Sequence, residues 1–137
     1  MSAAESTEST TEIEVDPERV EEWLTADKEP AGARPAGDQT KQTEQVQLID
    51  VREQYEREAG HIADSRHIPL TELTSQAASV ERERPVVFYC RVGARSDMAA
   101  QAFRAAGYEA YSMRGGLVRW AQEHRPMQPE DGYVADH

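Results

Sequence analysis

Residues 86–103 read VVFYCRVGARSDMAAQAF, and the order of residue types along this stretch decides the fold. Val86 to Tyr89, led in by Pro85, is an uncharged run of β-branched and aromatic residues, the pattern of a strand buried on both faces. It stops at Cys90, the single cysteine of the chain. Arg91 to Gly93 then read as a loop. Met98, Ala99, Ala102, Phe103 and Ala106 follow at helical spacing until Gly107 ends the helix. A buried strand, a tight loop and a helix make one unit of a parallel α/β sheet.

The flanking sequence repeats this grammar. Val46–Val51 (VQLIDV) reads as a strand ending in the charged Asp50-Val51-Arg52, and Arg52–Ala59 as a short polar helix or turn. His67-Ile68-Pro69 is a brief extended piece that Pro69 confines to an edge or an end, and Thr71–Val80 is predicted to be helical. Tyr108–Met113 is strand-like, and Gly115-Gly116 opens a last helix with Leu117, Trp120 and Ala121 on one side, stopped by Pro126. Towards the start, Ile13–Val15 alternates as a short strand. Asp16-Pro17-Glu18 then gives an N-cap followed by proline at the first helical position. Val20, Trp23 and Leu24 make one apolar face of a helix from Pro17 to Thr25. Residues 25–45, with Pro30, Gly32, Pro35 and Gly37, read as a long surface loop. Residues 1–11 read as a disordered acidic tail, 12–126 as one domain, and 127–137 as a loose acidic tail.

A chain of 137 residues has room for one core. It carries 26 acids against 15 bases, a net charge of −11. The excess is peripheral: residues 1–45 hold 12 acids and 4 bases, residues 46–128 hold 11 of each, and residues 129–137 add 3 acids. This balance excludes a nucleic-acid clamp built on phosphate neutralisation. No apolar run is long enough to span a bilayer, and the polar start lacks the basic and apolar regions of a signal peptide, so a cytoplasmic protein is expected. Thirteen of the 15 bases are Arg, which with the acid excess resembles a surface adapted to high salt. One cysteine permits neither an internal disulfide nor a thiolate metal cluster.

The chemistry is expected at Cys90. In open α/β sheets ligands sit beyond the carboxyl ends of the strands. The N–H groups of the following helix, with Arg91 and Arg95, would lower a thiol pKa there and make Cys90 a thiolate nucleophile near neutral pH. Gly93, without a Cβ, lets the loop turn its amides inward as an anion nest. A lone strand-end cysteine is more commonly an inert buried side chain, but two arginines and a glycine within five residues reverse that order. Spacing narrows the anion further. Cys90 to Arg95 is C-x4-R, one residue tighter than the C-x5-R loop that wraps a phosphoryl group in cysteine-dependent phosphatases. The tighter loop suits a persulfide sulfur, Cys–S–S⁻, and disfavours a phosphatase or arsenate reductase.

Four segments in order resemble the single-domain rhodaneses: LIDVRE at 48–53, the G-H-I…I-P element at 60–69, CRVGARS at 90–96, and the R-G-G…W element at 114–120. The resemblance spans residues 13–125. It implies an α/β, three-layer fold with a central, mainly parallel sheet flanked by helices. It also implies a ping-pong sulfurtransferase in which Cys90 takes the sulfane sulfur of thiosulfate and passes it to cyanide or a thiol. Arg91, Val92, Gly93, Ala94, Arg95 and Ser96 would bind the donor and persulfide, with no metal or organic cofactor. Asp50 and Arg52 read as a structural ion pair near the loop, His61 as a structural histidine, Gly115 and Gly116 as a turn packed beside the site, and Trp23 and Trp120 as core or lid residues. A monomer or weak dimer is expected. The alternatives are a sulfur-relay subunit that passes sulfur to a carrier protein, and a non-catalytic rhodanese-like interaction module. Two departures stand out: Ala63-Asp64-Ser65 follows G-H-I where Gly-Ala is usual in the family, and the 25–45 loop is longer than common.

Overall fold

The computed structural model describes residues 13–26 and 46–135; the tail expected at 1–11 and most of the loop expected at 25–45 lie outside these residues. The strands are β1 (Glu14–Val15), β2 (Gln47–Asp50), β3 (Arg66–His67), β4 (Val86–Tyr89) and β5 (Ala110–Met113). The helices are α1 (Pro17–Ala26), α2 (Gln54–Ala59), α3 (Leu73–Gln76), α4 (Ala94–Ala105) and α5 (Gly116–Gln122). The strands form one five-stranded sheet in the order β1-β5-β4-β2-β3, and every pairing is parallel. The expected α/β, three-layer architecture is therefore present. β4 lies at its centre with all four residues fully buried, which is what an uncharged VVFY run demands.

Alternation along the strands divides the core in two. Ile49, Val86, Phe88 and Ala110 face Ala99, Ala100 and Phe103 of α4. Leu48, Val87, Tyr89 and Met113 face Val20 of α1 and Leu117 and Trp120 of α5. Phe88 and Phe103 meet edge-on with ring centroids 4.9 Å apart. Each fully buried side chain of this size contributes about 2–3 kcal/mol of transfer free energy.

Two expectations are corrected. Thr71–Val80 is not one helix: Leu70–Glu72 and Ala77–Ser79 are 3-10 turns around the four-residue α3. Only Leu73 and Val80 of the segment are buried, and its serine hydroxyls turn back on the backbone, Ser75 to Glu72 and Ser79 to Gln76. The segment from Met127 does not hang loose either, as far as residue 135. His61 and Gln128 exchange backbone hydrogen bonds of 2.9 and 2.7 Å, and Tyr133 N–H donates to the Ala59 carbonyl. Gly60 permits this approach, because a Cβ there would lie 2.6 Å from the Tyr133 carbonyl oxygen.

Candidate active site

β4 delivers Cys90 to the carboxyl edge of the sheet, where the residue is 1% exposed. Gly93 adopts φ +123°, a conformation L side chains rarely take, and its N–H donates to Cys90 Sγ at 3.0 Å. The Gly93 carbonyl accepts from Asp97 N–H and so starts α4. Helix geometry leaves the N–H groups of Ala94, Arg95 and Ser96 without intrahelical acceptors, at the positive end of the α4 dipole. Ser96 is fully buried, with its hydroxyl 3.6 Å from Sγ. Loop and helix together thus bring the Gly93 N–H and the Ser96 hydroxyl to the sulfur.

The other side of the loop rests on α5. Leu117 N–H donates to the Cys90 carbonyl at 2.9 Å, and Val118 N–H to the Arg91 carbonyl at 3.0 Å. Gly116 makes this possible: at φ +61° its Cβ would lie 2.4 Å from the Arg91 oxygen and 2.7 Å from the Cys90 oxygen. Gly115 takes φ +78° as the residue capping α5. Of the glycine pair expected to pack beside the site, Gly116 lies directly against the loop's carbonyls, and Leu117 and Val118 supply the hydrogen bonds that hold them.

Arg95 stands differently from the expectation. Its guanidinium forms a two-pronged pair with Glu56 of α2, Nη1–Oε1 2.9 Å and Nη2–Oε2 3.0 Å, and the Glu56 side chain is fully buried. The hydrogen bond to Glu56 first, then the charges of Glu56, Cys90 and Asp50, hold Arg95 above its ordinary value against the opposing effect of burial. Its charge is thus largely answered within the protein. Glu56 also accepts from Glu53 N–H at 2.8 Å, closing a capping box on α2. Sequence reasoning passed over Glu56, although the Glu53/Glu56 spacing at a helix start was a usable signal.

Asp50 and Arg52 form the expected ion pair, both fully buried, joined at 2.8 and 2.7 Å. Burial pulls the Arg52 pKa down, but the hydrogen bond and charge of Asp50 more than restore it. Arg52 also donates to the Gly60 carbonyl, and Arg57 reaches Asp50 at 3.4 Å. The pair ties the end of β2 to the turn at His61. His61 itself lies 3.1 Å through Nδ1 from the Arg57 carbonyl, a structural placement. Of the remaining predicted residues, Arg91 is half-buried, while Val92 and Ala94 are exposed. Trp120 is buried in the core, with its indole N–H donating to the Pro126 carbonyl, and Trp23 packs on Tyr111. Ser112 of β5, not anticipated from the sequence, is fully buried with its hydroxyl 2.8 Å from Ser96 Oγ. No helix among the described residues is long and apolar enough to cross a membrane.

Comparison with known proteins agrees with this geometry. The family model for the rhodanese-like domain matches residues 36–123. A Bacillus subtilis protein, YqhL, described as uncharacterized, is 38% identical over 104 residues, covering 75% of each chain. A protein of Allochromatium vinosum named sulfurtransferase is 34% identical over 91 residues, 66% of this chain and 85% of the relative. A crystal structure of a rhodanese-related protein from Thermoplasma volcanium superposes with a TM-score of 0.58 at 32% identity, covering 60% of this chain and 82% of the other.

Proposed function

The chain belongs to the rhodanese-like domain family, and from that premise we propose that it is a sulfurtransferase that carries sulfane sulfur on Cys90. The Cys90 thiolate attacks the outer sulfur of thiosulfate. The S–S bond of the donor breaks, sulfite leaves with the bonding pair, and Cys90–S–S⁻ remains. Cyanide or a thiol then attacks the outer sulfur, giving thiocyanate or a new persulfide and returning the thiolate. The observation that carries this reading is the Gly93 N–H 3.0 Å from Cys90 Sγ, in a loop whose Cys90 and Arg91 carbonyls bond to α5. Hydrogen-bond donors fixed before the reaction favour the charge that develops on sulfur.

The test is to incubate the protein with thiosulfate, measure its intact mass, and add cyanide. A gain of one sulfur atom, lost as thiocyanate and missing in Cys90→Ser, is expected; neither adduct nor thiocyanate from the wild-type protein would sink the proposal. A protein thiol as acceptor is favoured by one feature, the exposed apolar side chains of Val92 on the loop and Met98 on α4.

A further inference from the structure

Ser96 Oγ stands at a junction. The Gly93 carbonyl is 3.2 Å away, Ser112 Oγ 2.8 Å and Cys90 Sγ 3.6 Å. A hydroxyl has one hydrogen to give and two lone pairs to receive with. The Gly93 carbonyl can only accept. An anionic sulfur, thiolate or persulfide, also only accepts, whereas a thiol can donate. If Ser112 accepts, it takes the one Ser96 hydrogen; if Ser112 donates, that hydrogen is left to the Gly93 carbonyl or the sulfur.

We propose that Ser112 is a positioning residue for the Cys90 sulfur, its hydroxyl donating to Ser96 Oγ so that the Ser96 hydroxyl can turn its own hydrogen to the sulfur anion. This assignment rests on the reading of Cys90 as the sulfur carrier. Ser112 is fully buried, so its hydroxyl needs a protein partner, and the 2.8 Å contact with Ser96 is the shortest of the three. A donor behind a hydroxyl also polarises it and strengthens the bond it makes in front. With Cys90 as a thiol the chain runs the other way, S–H donating into Ser96. Reversal needs only rotation about two C–O bonds, and no serine loses a proton; the one released by Cys90 goes to solvent. Ser112 pairs with Phe88 in the register of β5 against β4, so two neighbouring strands supply the sulfur and the hydroxyl behind it, with α4 supplying Ser96 between them.

Ser112→Thr and Ser112→Val isolate the hydroxyl, since both are β-branched, similar in volume and at home in a strand. The first readout is the rate of Cys90 alkylation by iodoacetamide at one neutral pH, which requires no sulfur transfer. The second is the lifetime of the thiosulfate-loaded persulfide without acceptor, followed by intact mass. The Thr variant should stay within about twofold of wild type, and the Val variant should alkylate about fivefold more slowly, the ratio that one neutral hydrogen bond supports, and lose its persulfide sooner. Equal alkylation rates for Thr and Val overturn the proposal, as does a slow Val variant that Thr does not rescue. If neither variant folds, Ser112→Ala against wild type decides it, equal rates counting against. Should wild type fail to load sulfur at all, the sulfurtransferase reading falls while the alkylation comparison still judges Ser112.

Discussion

Arg95 and Glu56 are joined by two parallel hydrogen bonds of 2.9 and 3.0 Å across 39 residues of sequence, and the carboxylate is fully buried. The arginine that sequence spacing assigned to the substrate is thus also the counter-ion that makes Glu56 tolerable in the interior. Arg95→Ala strands a buried charge, a change that costs about 3–5 kcal/mol, read as a fall in the urea midpoint. Glu56→Gln leaves the guanidinium uncompensated next to the sulfur. It should lower the KM for thiosulfate while Arg95→Ala raises it. Movement of both KM values in the same direction would remove the argument that Glu56 tempers the charge of the site.

Gly116→Ala drives a Cβ into the carbonyls of Arg91 and Cys90 at 2.4 and 2.7 Å. The loop backbone must shift, so sulfur transfer should fall at least tenfold, in line with the sensitivity of reactions to misplacement of about 1 Å. Gly115→Ala meets the Arg119 side chain instead and should cost stability with a smaller loss of turnover. Steady-state thiocyanate production and thermal melts on the two variants check the order.

Tyr89 is fully buried, its hydroxyl accepting from Ile62 N–H and within 3.0 Å of Ser65 Oγ. Burial, and then the nearby Asp50 carboxylate, push its pKa well above the ordinary value of 10.0 despite those contacts. The folded state therefore holds a proton that the unfolded chain gives up. Stability from this group is complete below about pH 10 and is lost as pH climbs towards the folded pKa. Tyr89→Phe should be less stable at neutral pH by about 1 kcal/mol and should lose less on going from pH 9 to pH 11, both followed by urea midpoints. Parallel alkaline limbs for the two proteins would exclude Tyr89 as the source.

The central strand, the sulfur loop and the two helices around it were legible in the sequence because each follows a local rule. VVFY has no charged side chain and is β-branched and aromatic throughout, Gly93 and Gly116 sit where the backbone needs positive φ, and Pro17 marks the first turn of α1. What escaped depended on contacts remote in sequence. Nothing local to Glu56 says that its carboxylate is buried, because Arg95 arrives from another element. Ser112 looks like any serine in a strand until α4 lays Ser96 over it. The docking of residues 127–135 rests on backbone hydrogen bonds, the missing side chain of Gly60 and two isolated apolar side chains, Met127 and Val134, which make no apolar periodicity.

The outermost strands, β1 and β3, are two residues long, and each carries a charged side chain, Glu14 and Arg66. A parallel sheet exposes its unpaired N–H and C=O groups only at its rims. Here each rim offers a second molecule a run too short to template another strand. Among the described residues, copies of the protein crowded together in salt that screens their net negative charge find at neither rim a backbone seam long enough to extend the sheet.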